Sequence, residues 1–551
     1  MCPHQTLRRT LATLIVPAIA WLGAACERPS TPTDAPLPPA AFHFSNSPAP
    51  LWVNDNDPNG GLYAPPGTSC DDPGYPSVQA AVTAASPGDR INVCPGTYVE
   101  QVNIPAGKDN IRLRSTRRWE AVIKAPADDP LDLIKAIVRV NGAQNVTILA
   151  FTITGPGSGG CNSLRYGVRV DNGGSADILG NHITDIRDAP APPLVSGCQN
   201  GVAVLVGRWL EGTTGSARII GNVIDRYQKN GPTVDNAGSH AEISHNRILG
   251  VGPTSTIAQN GIQAGRGATA DIRHNFVSQN IYTPGTDAST GILFYGSGPV
   301  NTDHNTLTSN DVDAYMFDYV FETGSCGTAA GSVTAHNRVR ASTLDGLILS
   351  GFALAGCFVT GVQVADNKSE QNRGPGIGVY DARSNALDDN RAERNEDSGI
   401  LLDDAQSNTV GDSKVRNNGT ANADMTDGIR VTASSTGNTI HDNHLQHNVT
   451  HDCHDFSVGT GTAGTANTWI NNRGETSIPA ALCGEADDAD FETSTVYGWD
   501  PNYPWYDAFD VVAAEYDWAA AYATIDIESL LQVLPQIRVG SIRRVIVSPT
   551  P

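Results

Sequence analysis

A repeat with a variable period of 23 to 41 residues dominates this chain and leaves few folds open to it. "ADIRHNFVSQN" at residue 270 aligns with "VNTDHNTLTSN" at 300, and then with "HAEISHNRILG", "QVADNKSEQN", "NALDDNRAERN" and "NTIHDNHLQHN". The shared template is an apolar or Thr position, two residues, Asn, one residue, an apolar position, two residues, and often a second Asn five after the first. The first-Asn column runs Asn181, Asn222, Asn246, Asn275, Asn305, Asn337, Asn367, Asn390, Ser413, Asn443. A second element precedes each corner: "NGVAV", "NGIQA", "TGILF", "DGLIL", "GIGVY", "SGILL" and "DGIRV". These are short alternating strands with Gly and Asn at their ends and no helical period between them. Such a chain folds as a solenoid whose coils stack into parallel sheets. The corner Asn is expected to take left-handed backbone angles and to hydrogen-bond the Asn of the next coil.

Composition narrows the function. Only 17% of the 551 residues are charged, and the patterning is that of a folded chain with a large core. The net charge is 36 − 58 = −22, which repels nucleic acid and anionic lipid surfaces and leaves neutral glycans, cations and proteins as partners. Arg8 and Arg9 followed by "TLATLIVPAIAWLGAA" read as an export signal over 1–26, too short for a membrane span. "ERPSTPTDAPLPPA" then reads as part of a Pro-rich tether over 27–50. Setting aside Cys2 and Cys26, eight cysteines remain, suited to an oxidising compartment. They fall into close pairs: Cys70 with Cys94, Cys161 with Cys198, Cys326 with Cys357, and Cys453 with Cys483.

The coil, from about residue 76 to 484, resembles a right-handed parallel β-helix of the pectin-lyase type. "PSVQAAVTAASPGDRINVCPGTYVEQVNI" resembles that family's opening, a short capping helix and first rung, and "GTGTAGTANTWINNRGETSIPAALC" resembles the closing rung of NosD-like repeat proteins. The expected class is therefore all-β, a right-handed parallel β-helix with an N-terminal capping helix. Its parts are a cap and first rung over 51–110, the coil over 111–484 and a C-terminal covering segment over 485–551. The family hosts lyases, hydrolases, epimerases, adhesins and accessory proteins, so the fold alone assigns no chemistry. "LGAAC" resembles a bacterial lipobox with Cys26 as the acylated residue, although Gly23 stands where that family has Leu; a lipid anchor and free secretion both stay open.

Three columns carry the candidate sites. Asn301, Thr302 and Asp303 spell the NTD of polygalacturonases, but in register Thr302 points inward and Asp303 outward, and the companion motifs that an inverting hydrolase requires are missing. The position before each corner Asn reads His245, His274, His304, His336, then Asp366, Asp389, Asp412, Asp442. Coils stack about 4.8 Å apart, so neighbouring His, or His336 with Asp366, could chelate Zn or Cu. The bland alternative is that Lys368, Arg391, Lys414 and His444, two residues on, neutralise the acidic half in exposed ion pairs. In the third column Leu293, Met316, Ile348 and Leu401 form an apolar stripe on the outer face. The expected cover is the C-terminal segment with Tyr497, Trp499, Tyr503, Trp505, Tyr506 and Phe509, or else a ligand. In "AYMFDYVFETGSC", Tyr315 and Phe317 are read as core, which leaves Tyr319 and Phe321 as candidates for sugar stacking. "YGWDP" shares letters with an epimerase motif, but Asn502 and Tyr503 replace its reactive His and Asp.

The functional expectation is an exported β-helix protein that engages an extended polysaccharide along one face, with or without cleaving it. Scattered carboxylates holding Ca²⁺ beside an Arg or Lys base would suffice for cleavage. The alternatives are a NosD-like accessory protein binding Cu or Zn, and a structural or adhesive cell-surface protein.

Overall fold

The computed structural model describes residues 49–56, 60–419 and 426–484. The export signal with Cys26, nearly all of the tether, and the C-terminal segment with its aromatic residues and "YGWDP" lie outside the described residues. The coil is built from three parallel sheets: sheet I with 15 strands, sheet II with 13 and sheet III with 14. One coil runs from sheet I round the Asn corner into sheet II and on into sheet III. Residues 269–295 show this as Thr269–Arg273, Phe276–Ser278 and Thr290–Tyr295.

Every strand is short, so the coil is held by its inward columns. In sheet I the column Ile243, Ile272, Thr302, Thr334, Val364 is in unbroken register and buried. The expected triplet alignment holds, with Asp271 opposite Asn301 and Arg273 opposite Asp303. At the open end, helix Val78–Ala84 lays Val78, Ala81 and Val82 onto the coil. Ser77 caps the helix by accepting from the Ala80 N–H, and the Glu100 carboxylate accepts from the N–H groups of Val78 and Gln79 at 2.8 Å each. Sheet I begins before this helix, because strand Leu51–Val53 pairs in parallel with Arg90–Val93.

The four expected disulfides are present, with Cα–Cα distances of 5.7, 5.7, 5.2 and 6.2 Å in chain order. They sit at coil ends and loops rather than in the shared core of the sheets, apart from the buried Cys94, Cys357 and Cys453.

The corner departs from expectation in one respect. The left-handed residue is the one before the Asn: His245, His274, His304 and His336 have φ of 55, 53, 51 and 52°, and Asp366, Asp389, Asp412 and Asp442 follow suit at 49 to 56°. Asp and His tolerate this region better than most side chains, so backbone geometry alone favours them there. The bend turns the following Asn into the coil. Asn305 is 1% exposed; its Nδ2 donates to the Ile272 carbonyl at 2.8 Å and to Asn337 Oδ1 at 2.9 Å, and its backbone N–H donates to that same Oδ1 at 3.0 Å. The pattern repeats from Asn181 to Asn472, with Ser413 substituting once. A second ladder at the next corner links Asn372, Asn395, Asn418 and Asn448.

Replacing Asn305 by Ala removes the acceptor of the Asn275 backbone N–H and the side-chain donor to the Ile272 carbonyl, at about 1–3 kcal/mol per buried orphan group, while Asn275 Nδ2 keeps the carbonyls of Ile243 and Arg273. We expect Asn305→Ala to lower the urea midpoint clearly, while the exposed Asn301→Ala shifts it within about 0.5 kcal/mol. Equal midpoints would show that the ladder is dispensable.

Candidate functional site

The outer face of sheet III carries the expected stripe, with a change of phase in one strand. Leu293 pairs with Tyr315 and Phe294 with Met316, so Ala314 and Met316 enter the core while Tyr315 and Phe317 point outward. The expected roles of Met316 and of the two rings are thus exchanged. The cause is the run Ala314, Tyr315, Met316, Phe317, in which apolar residues on both faces erase the alternation that would set the phase.

The stripe is covered from within the chain. Leu293, Tyr315, Phe317 and Ile348 form one buried cluster with Val320, against which Tyr319, Phe321 and Phe352 pack. Phe321 stacks on Phe317 at 5.7 Å and Tyr319 lies 4.8 Å from Phe352. The hairpin of Tyr319–Val320 with Ser325–Cys326 that brings these rings down is stapled through Cys326 to Cys357. Tyr319 and Phe321 thus serve as cover. Leu401 is 1% exposed. Between it and Ile348 the column has Gly378, over which the Tyr380 ring folds into space that a Cβ would occupy.

Beyond Leu401 the same face turns polar. Arg430 and His454 are paired neighbours on adjacent strands, with Asp427 and His451 two residues before the strand starts. Asp427 is fully buried and gathers the group: His451 Nδ1 lies 3.2 Å from one carboxylate oxygen, while His454 Nδ1 at 3.1 Å and Arg430 Nη1 at 2.8 Å share the other. His454 packs on Phe456 at 3.9 Å between ring centroids, and the Arg430 guanidinium stands 4.5 Å from the same ring. Arg430 Nε is buried with no hydrogen-bond partner among the described residues.

The electrostatics follow from burial. Burial pulls the Asp427 carboxyl up, but hydrogen bonds and charge from His454 and Arg430 outweigh it and hold the group below the usual range. Asp397, one coil earlier, is pushed up to about 6 by burial, with Arg430 opposing and Asp427 reinforcing the shift. Asp345 is pushed up to about 7 by burial while accepting a 2.6 Å hydrogen bond from the Tyr380 hydroxyl. With both Nδ1 atoms donating to Asp427, each imidazole keeps Nε2 as its basic atom. Two bases beside a cation and an aromatic ring, in a site where the carboxylate is dry, can bind a polar ligand and move a proton.

The corner histidines form a column as expected. His245, His274, His304 and His336 stack with centroids 4.9, 5.2 and 4.7 Å apart and planes within 26°. Parallel stacking keeps most donor atoms from converging, and the structure draws together only His304 and His336, around Asp303, with Asp366 3.6 Å from His336 Nε2. Burial and the neighbouring His274 push His245 down to about 4, and burial with His304 likewise lowers His274.

The neutralising reading of the acidic half is corrected for Lys368 and Arg391, whereas Lys414 does oppose the rise of the Asp389 carboxyl. Lys368 and Arg338 pair with Glu370, and Arg391 and Arg416 pair with Glu393. Both glutamates lie on the strands of the cations themselves and are nearly buried, so they capture the charge first. Asp389 accordingly shifts up, through burial and then the charges of Asp366 and Asp412.

Residues 209–379 match the family described as right handed beta helix region, and residues 326–481 match NosD, a periplasmic copper-binding protein. The chain is a right-handed parallel β-helix repeat protein, and its similarity to NosD is confined to residues 326–481. No curated protein matches it. Among solved structures, this β-helix protein is similar to the mannuronan C-5 epimerase AlgE4 A-module of Azotobacter vinelandii (12% identity, 73% of this chain and 94% of that one, TM-score 0.37). It is also similar to the GH87 α-1,3-glucanase of Streptomyces thermodiastaticus (13%, 74% and 64%, 0.35) and to pectate lyase Pel9A (15%, 59% and 80%, 0.35). Its four disulfides fit an oxidising, exported setting, and no helix among the described residues is long and apolar enough to cross a membrane.

Sequence reading placed Arg430 on the outer face but missed the cluster around Asp427. The signal was present in "TDGIRV" and "HDCHDF", whose alignment across one coil sets Asp427 beside His451 and Arg430 beside His454.

Because the folded Asp427 carboxyl lies below its unfolded value, it stabilises the fold above the ordinary carboxylate range, and this contribution is lost as pH falls through the depressed folded value. Asp427→Asn should therefore flatten part of the acid limb of a stability–pH curve. A variant that keeps the native acid slope would contradict the ion-paired assignment.

Proposed function

We propose that this β-helix protein is an exported protein that engages an extended polysaccharide along the outer face of sheet III, with the cluster of Asp427, Arg430, His451 and His454 as its polar anchor. The observation that carries the reading is the convergence of two imidazoles, a guanidinium and the Phe456 ring on one buried carboxylate at that face. The hairpin of Tyr319–Val320 with Ser325–Cys326 covers the middle of this face, so the glycan is proposed to lie along its later strands, around Arg430 and His454. Phe456, 42% exposed, offers a ring face to a pyranose, and Arg430 offers donors to a sugar carboxylate or hydroxyls.

The chemistry available is proton abstraction at a sugar carbon. Asp427 fixes the imidazoles with Nε2 available, His454 or His451 takes the proton, and Arg430 stabilises negative charge that develops on an adjacent carboxylate. That role favours a uronic-acid glycan over a neutral one, against the general repulsion of a chain with net charge −22. The test is incubation in deuterated water with a panel of neutral and uronate polysaccharides, with and without Ca²⁺, reading glycan retention, glycan size and deuterium gained at ring carbons. We expect one uronate glycan to be retained and labelled. His454→Ala should cut labelling by about 10²- to 10⁴-fold with retention largely kept, and Arg430→Ala should lose both. Retention without labelling would leave a binding protein; no retention of any glycan would end the proposal.

A further inference from the structure

A second cluster lies on the corner between sheets I and II. Asp303 Oδ1 is 2.9 Å from His304 Nδ1 and 2.9 Å from His336 Nδ1, and the three donor atoms fall within 4.8 Å of one another. We propose that Asp303, His304 and His336 bind one divalent transition-metal ion of the Zn²⁺ or Cu²⁺ type, with Asp366 orienting His336 from behind.

The corner geometry explains why histidine or aspartate precedes each Asn, since that residue must adopt positive φ, but it does not explain Asp303. Asp303 stands one residue earlier, at the end of its strand, where the neighbouring coils place Arg273 and Ala335. Arg273 is bound to Glu242, so the two imidazoles are the partners that Asp303 has at hand. Burial raises the Asp303 carboxyl, and the hydrogen bonds from His304 and His336 more than reverse this.

Three donors around a tetrahedral ion at about 2.1 Å sit about 3.4 Å apart. The two observed 2.9 Å separations need to open by only about 0.5 Å, and the side chains are 38 to 44% exposed and able to do so. The backbone that carries them is fixed by the Asn305 and Asn337 rungs. Metal binding at Nδ1 moves the His336 proton to Nε2, which already faces Asp366 Oδ2 at 3.6 Å. A carboxylate behind a ligating imidazole is the usual orienting arrangement. Two imidazole nitrogens with one carboxylate suit Zn²⁺ or Cu²⁺ rather than Ca²⁺ or Mg²⁺. The exposed side leaves a fourth position to water.

His245 and His274 belong to the same stack without joining the cluster, which makes them internal controls. The NosD match begins at residue 326 and contains neither Asp303 nor His304.

The experiment is titration of the untagged, metal-free protein with Zn²⁺ by calorimetry and with Cu²⁺ by electron paramagnetic resonance, with circular dichroism confirming that each variant is folded. We expect one ion per chain and hyperfine splitting from two nitrogens. Asp303→Asn, His304→Ala and His336→Ala should each abolish stoichiometric binding, Asp366→Asn should weaken it about 10- to 100-fold, and His245→Ala should leave it unchanged. The assignment fails if no ion binds, if His245→Ala or His274→Ala lowers uptake as much as His304→Ala, or if Asp427→Asn removes the ion while Asp303→Asn does not. Because the Asp427 cluster lies on another sheet, loss of glycan retention and loss of metal are separate results.

Discussion

The buried asparagine ladder is the interaction on which the rest of the coil depends. Each corner must reverse a chain that has just left a sheet, and doing so leaves backbone groups of the bend facing an apolar interior. The Asn side chain answers for them: its Nδ2 satisfies a carbonyl of the preceding coil while its Oδ1 takes two donors from that coil's own Asn and backbone. Every rung therefore fixes the height and rotation of the next. A buried polar network of this kind is stable because it is complete, and each missing member would orphan two neighbours.

That constraint produces the surface columns. Once the rungs are locked, each outward position stacks on its counterpart a coil away, and like residues are forced together. Stacking places imidazoles 4.7 to 5.2 Å apart and sets Asp389 against Asp366 and Asp412, with burial as the leading cause of its raised carboxyl. Of the cations nearby, Lys368 and Arg391 are held by Glu370 and Glu393, while Lys414 opposes the upward shift of Asp389 without cancelling it. The columns change character at two places, where Leu401 gives way to Arg430 and His454 on sheet III and where Asp303 stands between Arg273 and Ala335 on sheet I.

The two clusters share a design and differ in environment. Both gather two histidine Nδ1 atoms on one aspartate. Around Asp427 the carboxylate is inaccessible, a guanidinium shares it and an aromatic ring walls it, which favours oriented bases. Around Asp303 the groups are open to water and, among the described residues, no guanidinium shares the carboxylate, which is the setting on which the metal proposal rests.

The sequence alone determined the solenoid, the Asn column, the sheet I register through Thr302 and Asp303, the capping helix and the four cysteine pairs, because each of these depends on local periodicity or on short separations along the chain. The phase of residues 314–317 escaped it, since four consecutive apolar residues carry no alternation, and so did the cover over Leu293 and Ile348, which a disulfide-stapled hairpin supplies. The identity of the left-handed residue was misplaced by one position because Asn, Asp and His all tolerate that conformation. Only the tertiary structure decided which charges meet: ion pairing depends on side-chain reach and burial, so Glu370 and Glu393 took Lys368 and Arg391 from the acidic column, and the buried Asp427 gathered Arg430 from its own coil with His451 and His454 from the next.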